Sequence, residues 1–174
     1  PVSAFLKLGP LQPRFLLESV EGGMRLARYS FIGFGDALEL RMSADGLMVN
    51  GEIRERPQTQ AEYLTVLREA LQLAPRPKPD NGELPFTGGR VGVSGYDVVR
   101  MFERLPKNSA PQSHIPDAAF VAPTSMLVFD HLTRRVAVLH DGPEYERQRL
   151  RSEVIERLRG PVPRHEGDVV SSPT

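Results

Sequence analysis

Turn-forming pairs break the first third of this 174-residue chain into pieces too short for long helices. Gly9-Pro10, Gly22-Gly23, Gly35-Asp36, Asp45-Gly46 and Asn50-Gly51 follow one another, and the segments between them are rich in apolar residues. That combination predicts an antiparallel meander over Val2 to Arg56. In Phe15-Leu16-Leu17-Glu18-Ser19-Val20, the residues Phe15, Leu17 and Ser19 share one face, and Leu16, Glu18 and Val20 share the other. Both faces are partly apolar, which predicts a strand in the interior of a sheet.

The period then changes. Leu64, Leu67 and Leu71, flanked by Ala61 and Ala70, fall at helical spacing and predict a first helix over Gln60 to Leu73. Pro75, Pro77, Pro79 and Pro85 with Asn81-Gly82 cannot continue it and predict an extended surface connection. Arg90 to Tyr96 and Ala119 to Phe129 are expected strands, and Asp130-His131-Leu132-Thr133 turns the chain into a third, Arg135 to His140. Glu144 to Arg159 is the second expected helix, with Tyr145, Leu150, Val154, Ile155 and Leu158 inward and a Glu153/Arg157 pair outside. Gly160-Pro161 ends it. Strands, a helix, strands and a final helix make an α+β fold whose sheet is mainly antiparallel. One domain is expected over residues 1–160, with 161–174 a linker or disordered tail.

Composition removes several function classes. Twenty-two Lys+Arg balance twenty-two Asp+Glu, so no positive field favours nucleic acid or an anionic membrane surface. The absence of cysteine rules out disulfides, thiolate metal sites and a cysteine nucleophile, and fits a reducing, cytoplasmic setting. No apolar run reaches the ~18 residues of a membrane span. Pro1 is expected to be a processed or cut end, because Val2 to Leu8 is neither long nor basic enough for a signal peptide.

Few residues are placed to do chemistry. His114, His131, His140 and His165 are dispersed and make no metal-ligand pattern. Gly88-Gly89-Arg90-Val91-Gly92-Val93-Ser94-Gly95 is glycine-dense but has neither G-x-G-x-x-G nor Gly-Lys-Ser/Thr, so its glycines are expected to permit close chain approach. Ser94 lacks nucleophile-elbow spacing, since Tyr96 stands where the final glycine belongs. Glu18 differs: a carboxylate in a strand apolar on both faces needs a partner or a ligand. If the chain reverses at Gly22-Gly23, then Glu18, Ser19, Arg28 and Ser30 cluster near one sheet edge. Two readings stand. The cluster is a structural Glu18–Arg28 ion pair, or it holds a zwitterionic amino acid, with donors for the carboxylate, acceptors for the ammonium and leucines for the side chain.

Phe15-Leu16-Leu17-Glu18-Ser19 followed by Arg28-Tyr29-Ser30-Phe31-Ile32-Gly33 resembles the N-terminal region of the anthranilate synthase component I family. Three further stretches agree in order. Pro85-Phe86-Thr87-Gly88-Gly89-Arg90-Val91-Gly92 with Gly95-Tyr96-Asp97-Val98-Val99-Arg100 is similar to the family's glycine-rich segment, Glu103-Arg104-Leu105-Pro106 to its Glu-x-Leu-Pro, and Phe129-Asp130-His131 to its late strand end. Val93-Ser94 departs, standing where the family more often has a tyrosine and an apolar residue.

The resemblance implies a regulatory N-terminal domain of an enzyme that converts chorismate to anthranilate for tryptophan synthesis. It places the L-tryptophan feedback site at Leu17, Glu18 and Ser19, with Arg28, Tyr29 and Ser30 in the same neighbourhood. It also implies that chorismate and Mg²⁺ bind in a C-terminal domain absent from this chain, so that the chain alone is inactive. A glutamine amidotransferase subunit would supply ammonia. The alternatives are the equivalent domain of aminodeoxychorismate synthase component I, which shares the Arg28–Gly33 motif, or a free-standing amino-acid-binding module.

Overall fold

A computed structural model of the chain describes residues 1–18, 28–78, 84–105 and 115–163. Two long strands organise it. β2 (Tyr29–Ser43) pairs antiparallel with β6 (Ala118–Asp130), from Tyr29↔Asp130 to Met42↔Ala118. Along the outer side of β2 lie β1 (Pro13–Glu18), beside its first part, and β3 (Gly46–Val49), beside its last part, with β4 (Glu52–Arg54) beyond. β7 (Arg135–His140) and β5 (Val91–Ser94) flank the two ends of β6. Every pairing is antiparallel, so this seven-stranded sheet with its helices is the expected α+β architecture.

The turn chemistry acts in two ways. At Asn50-Gly51 both residues have positive φ, 54° and 87°, which matches a tight hairpin to the twist of β3 and β4. Gly35-Asp36, expected as a turn, lies instead inside β2. Gly35 takes φ +82° and the ladder to β6 shifts between Phe34 and Ala37, so this pair makes a bulge. A bulge replaces the reversal because apolar residues on both sides of it keep pairing with β6.

β1 also departs from expectation. It pairs with β2 alone among the described residues and is therefore an edge strand. Its apolar character on both faces has another source: Leu16 packs into a core cluster while Phe15 and Leu17 line an open cleft. Val2–Lys7, expected within the meander, forms a short helix, α1, followed by a 3₁₀ turn at Gly9–Leu11. A six-residue helix is too short to show a period, and packing stabilises it: Ala4 and Leu8 are buried, and the Lys7 ammonium donates to the Leu158 carbonyl at 2.8 Å.

α2 (Gln60–Gln72) starts where expected and is fixed by a capping box, in which Thr59 Oγ1 accepts from the Glu62 amide while the Glu62 carboxylate accepts from that of Thr59. Its buried face is rotated from the leucine stripe. Tyr63 and Ala70 are buried with Val66 and Leu67 against them, and Leu71 is exposed. The Tyr63 ring sets this orientation, packing edge-on to Phe102 at 6.3 Å. α3 (Glu144–Arg159) has the expected bounds and its Glu153–Arg157 pair at 3.6 Å. Val154 is buried with Leu150 and Leu158 packed beside it, whereas Tyr145 and Ile155, expected inward, face outward. The strand expected over Arg90–Tyr96 is shorter: it runs from Val91 to Ser94, and Tyr96–Met101 winds into a 3₁₀ turn. Close approach is confirmed at Gly92, where a Cβ would lie 2.0 Å from the Ala119 carbonyl oxygen.

Three apolar clusters cover β2 and β6. Leu40, Met42, Leu47 and Val49 pack under α2; Ile32, Phe34 and Leu127 under α1 and α3; Met126, Val128 and Leu139 against Phe31 and Phe86. Among the described residues no helix is long and apolar enough to cross a membrane. Part of the proline-rich connection is tied down, since Lys78 and His140 exchange backbone hydrogen bonds at 2.9 Å. Asn81-Gly82 and most of the expected tail lie outside the described residues.

Candidate functional site

The residues singled out in the sequence converge where β1 ends, β2 begins and β6 ends. Leu17 stands opposite Phe31 and Glu18 opposite Ser30; Ser30 in turn stands opposite Phe129, and Tyr29 opposite Asp130. The antiparallel β1–β2 pairing expected of a hairpin is therefore present. Ser19 and Gly22-Gly23 lie outside the described residues.

The expected Glu18–Arg28 ion pair is replaced by another. Arg28 clamps Asp130 in bidentate fashion, Nε to Oδ1 at 3.1 Å and Nη2 to Oδ2 at 2.7 Å, and lies over the Tyr29 ring at 4.7 Å from its centroid. Asp130 Oδ1 also accepts from the Leu132 and Thr133 amides at 3.0 and 3.2 Å, which closes the turn after β6. The Arg28 guanidinium, with these amides, holds the Asp130 carboxyl well below the usual carboxylate range. Ser30 is buried, its Oγ 2.7 Å from His131 Nε2, and the His131 amide donates to the Arg28 carbonyl at 2.8 Å. Arg28, Ser30, Asp130 and His131 thus form one polar knot.

Beside the knot, Glu18 and Leu17 are exposed, and Glu18 makes no ion pair among the described residues. An edge strand open to water explains why its carboxylate tolerates this position. Leu17 and Phe15 also line a cleft of about 440 Å³ with Val91, Val93 and Val121, at whose rim Arg14 and Glu39 pair at 3.0 Å. Glu18, one residue further along the strand, stands on the opposite face of β1 from Phe15 and Leu17 and does not line this cleft. The clamp on Asp130 uses Nε and Nη2 of Arg28, leaving Nη1 outside both bonds.

Asp130 and His131 were not expected in this cluster, although Asp130-His131-Leu132-Thr133 was legible as a turn. Their link to Arg28 and Ser30 crosses about a hundred residues of sequence (|i−j| 102 and 101) and depends on the β2–β6 register. Among the described residues no three His, Asp or Glu side chains converge to hold a metal ion.

The family described as chorismate binding enzyme matches residues 12–171. Anthranilate synthase component 1 of Thermus thermophilus is 39% identical over 165 residues, 94% of this chain and 34% of the relative. That of Streptomyces coelicolor is 39% identical over 140 residues, 80% of this chain and 24% of the relative. The crystal structure of anthranilate synthase component I from Streptococcus pneumoniae superposes with a TM-score of 0.59 at 25% identity, covering 86% of this chain and 32% of that one. The chain spans about a third or less of the relatives it matches.

Proposed function

The chain belongs to the chorismate binding enzyme family, and from that premise we propose that it is the N-terminal regulatory domain of an anthranilate synthase component I, carrying the tryptophan feedback site. The observation that carries the reading is the end of β1, where Leu17 lines an apolar cleft and Glu18, on the other face and opposite Ser30, is an exposed carboxylate without an ion-pair partner among the described residues. Tryptophan offers an ammonium for Glu18 and an indole for apolar side chains at the end of β1. Ser19 follows directly in sequence, and Arg28 and Tyr29 complete the neighbourhood. In this reading the reaction centre for chorismate, with its Mg²⁺, belongs to the larger remainder of the parent enzyme. A glutamine amidotransferase subunit feeds that centre ammonia in the cytoplasm.

Inhibition of this kind is a coupling free energy, so tryptophan and chorismate oppose each other's binding reciprocally. Calorimetric titration of L-tryptophan into the chain tests the reading, with L-phenylalanine, Ser19→Phe and Glu18→Gln as controls. Selective binding lost in both variants is expected. Should tryptophan bind the Glu18→Gln chain as tightly as the parent, the assignment of the ammonium to this carboxylate is wrong. A parent enzyme carrying Ser19→Phe should also resist tryptophan inhibition while keeping its uninhibited rate.

A further inference from the structure

β5 leaves a row of backbone groups unpaired, and its composition sets it apart from the other edge strands. The Gly95 amide donates to the Asp117 carbonyl at 2.7 Å, which fixes the phase of the ladder to β6. By the alternation of antiparallel pairing, Val93↔Ala119 and Val91↔Val121 are then the bonded pairs. Gly92 and Ser94 therefore aim their N–H and C=O groups away from β6. No described backbone group meets them, and both residues are exposed.

Soluble proteins protect such edges with charge or proline. β1 carries Pro13, Arg14 and Glu18, and β4 is Glu52-Ile53-Arg54. β7 starts at Arg135, and Lys78 bridges its outer side at His140. β5, Val91-Gly92-Val93-Ser94, has neither device. Its Val93 is 65% exposed, and Tyr96, two residues past its end, is 86% exposed.

We propose that the outer edge of β5 is a strand-addition site that takes an extended, uncharged segment from the remainder of the parent enzyme. This rests on the regulatory-domain reading. The Thermus thermophilus relative aligns with 94% of this chain, and the match covers only 34% of its own length. On the regulatory-domain reading, the remainder of the parent enzyme supplies a large body of chain to pack on this domain. Strand addition supplies backbone hydrogen bonds from Gly92 and Ser94, and Val93 and Tyr96 favour an apolar rather than charged neighbour.

Hydrogen exchange at single-amide resolution tests the site in two proteins: the 174-residue chain, and a chimera in which this chain is followed by the part of the Thermus thermophilus enzyme beyond the match. The Gly92 and Ser94 amides should exchange rapidly in the chain and at least ~10-fold more slowly in the chimera. Ser94→Pro deletes the outward donor without breaking a bond to β6 and should return Gly92 to rapid exchange in the chimera. Ser94→Ala, which loses only the hydroxyl contact to Tyr63, should keep Gly92 protected. A chimera that makes anthranilate from chorismate and ammonium yet leaves both amides rapid overturns strand addition alone. Rapid amides in a chimera without that activity overturn both strand addition and the parent-enzyme reading. Protection that appears in the isolated chain and rises with its concentration assigns the edge to a second copy and also overturns the proposal.

Discussion

Arg28 and Asp130 show how one pair can tie together segments distant in the sequence. Asp130 receives the guanidinium in two bonds and two backbone amides, so its charged form is strongly favoured in the folded chain. In the unfolded chain the same carboxyl titrates near ~3.9. The folded-state value is depressed, so the stability this group contributes is complete above the unfolded value and is lost as pH falls below it. Asp130→Asn should therefore lower the urea midpoint at neutral pH, and the gap between variant and parent should close on acidification below about pH 4. A gap that stays constant down to strongly acidic pH would show that the carboxylate's charge is not what stabilises the end of β6. Glu18 is the contrasting case: it has no ion-pair partner among the described residues, and replacing it by Gln should leave the midpoint nearly unchanged while removing ligand binding.

Among the elements, α3 separates what periodicity reveals from what packing decides. Its end at Gly160-Pro161 was readable, whereas the Pro143 N-cap that starts it was not singled out. Its inward face was only partly readable: of the five apolar residues expected inward, Val154 is buried and Leu150 and Leu158 pack beside it. Tyr145 is 69% exposed near the first turn, where its hydroxyl donates to Glu146 at 3.0 Å. Val154→Ala removes two methyl groups from a filled site and should cost about 2 kcal/mol. Ile155→Ala, one position further along the same helix, should cost about 0.5 kcal/mol or less. Urea unfolding of the two variants reads the difference directly, and equal losses would mean the helix is seated on a different face.

At the scale of the whole molecule, β2 and β6 pass through all three apolar clusters, so the clusters should not unfold separately. Leu40→Ala beneath α2 and Leu127→Ala beneath α1 and α3 each empty a fully buried position and should each cost about 2–5 kcal/mol. In both variants tyrosine fluorescence and far-ultraviolet circular dichroism should report one coincident transition. Two separated transitions would instead mean that the bulge at Gly35 divides the sheet into independent units. The local signals in the sequence set the elements themselves: Asn50-Gly51 reverses the chain, Thr59 and Glu62 start α2, Gly160-Pro161 ends α3, and Leu17-Glu18 with Arg28-Tyr29-Ser30 mark the candidate site. These depend on a few neighbouring residues, whose backbone preferences and hydrogen bonds act over one turn or one strand. Only the tertiary structure decided that Gly35 bulges rather than turns, that β1 lies at an edge, that Tyr63 rotates the buried face of α2, and that Asp130 rather than Glu18 receives Arg28. Each of these is fixed by the register of β2 on β6 or by the shape of a partner surface, contacts between residues distant in the chain whose energies no local pattern encodes.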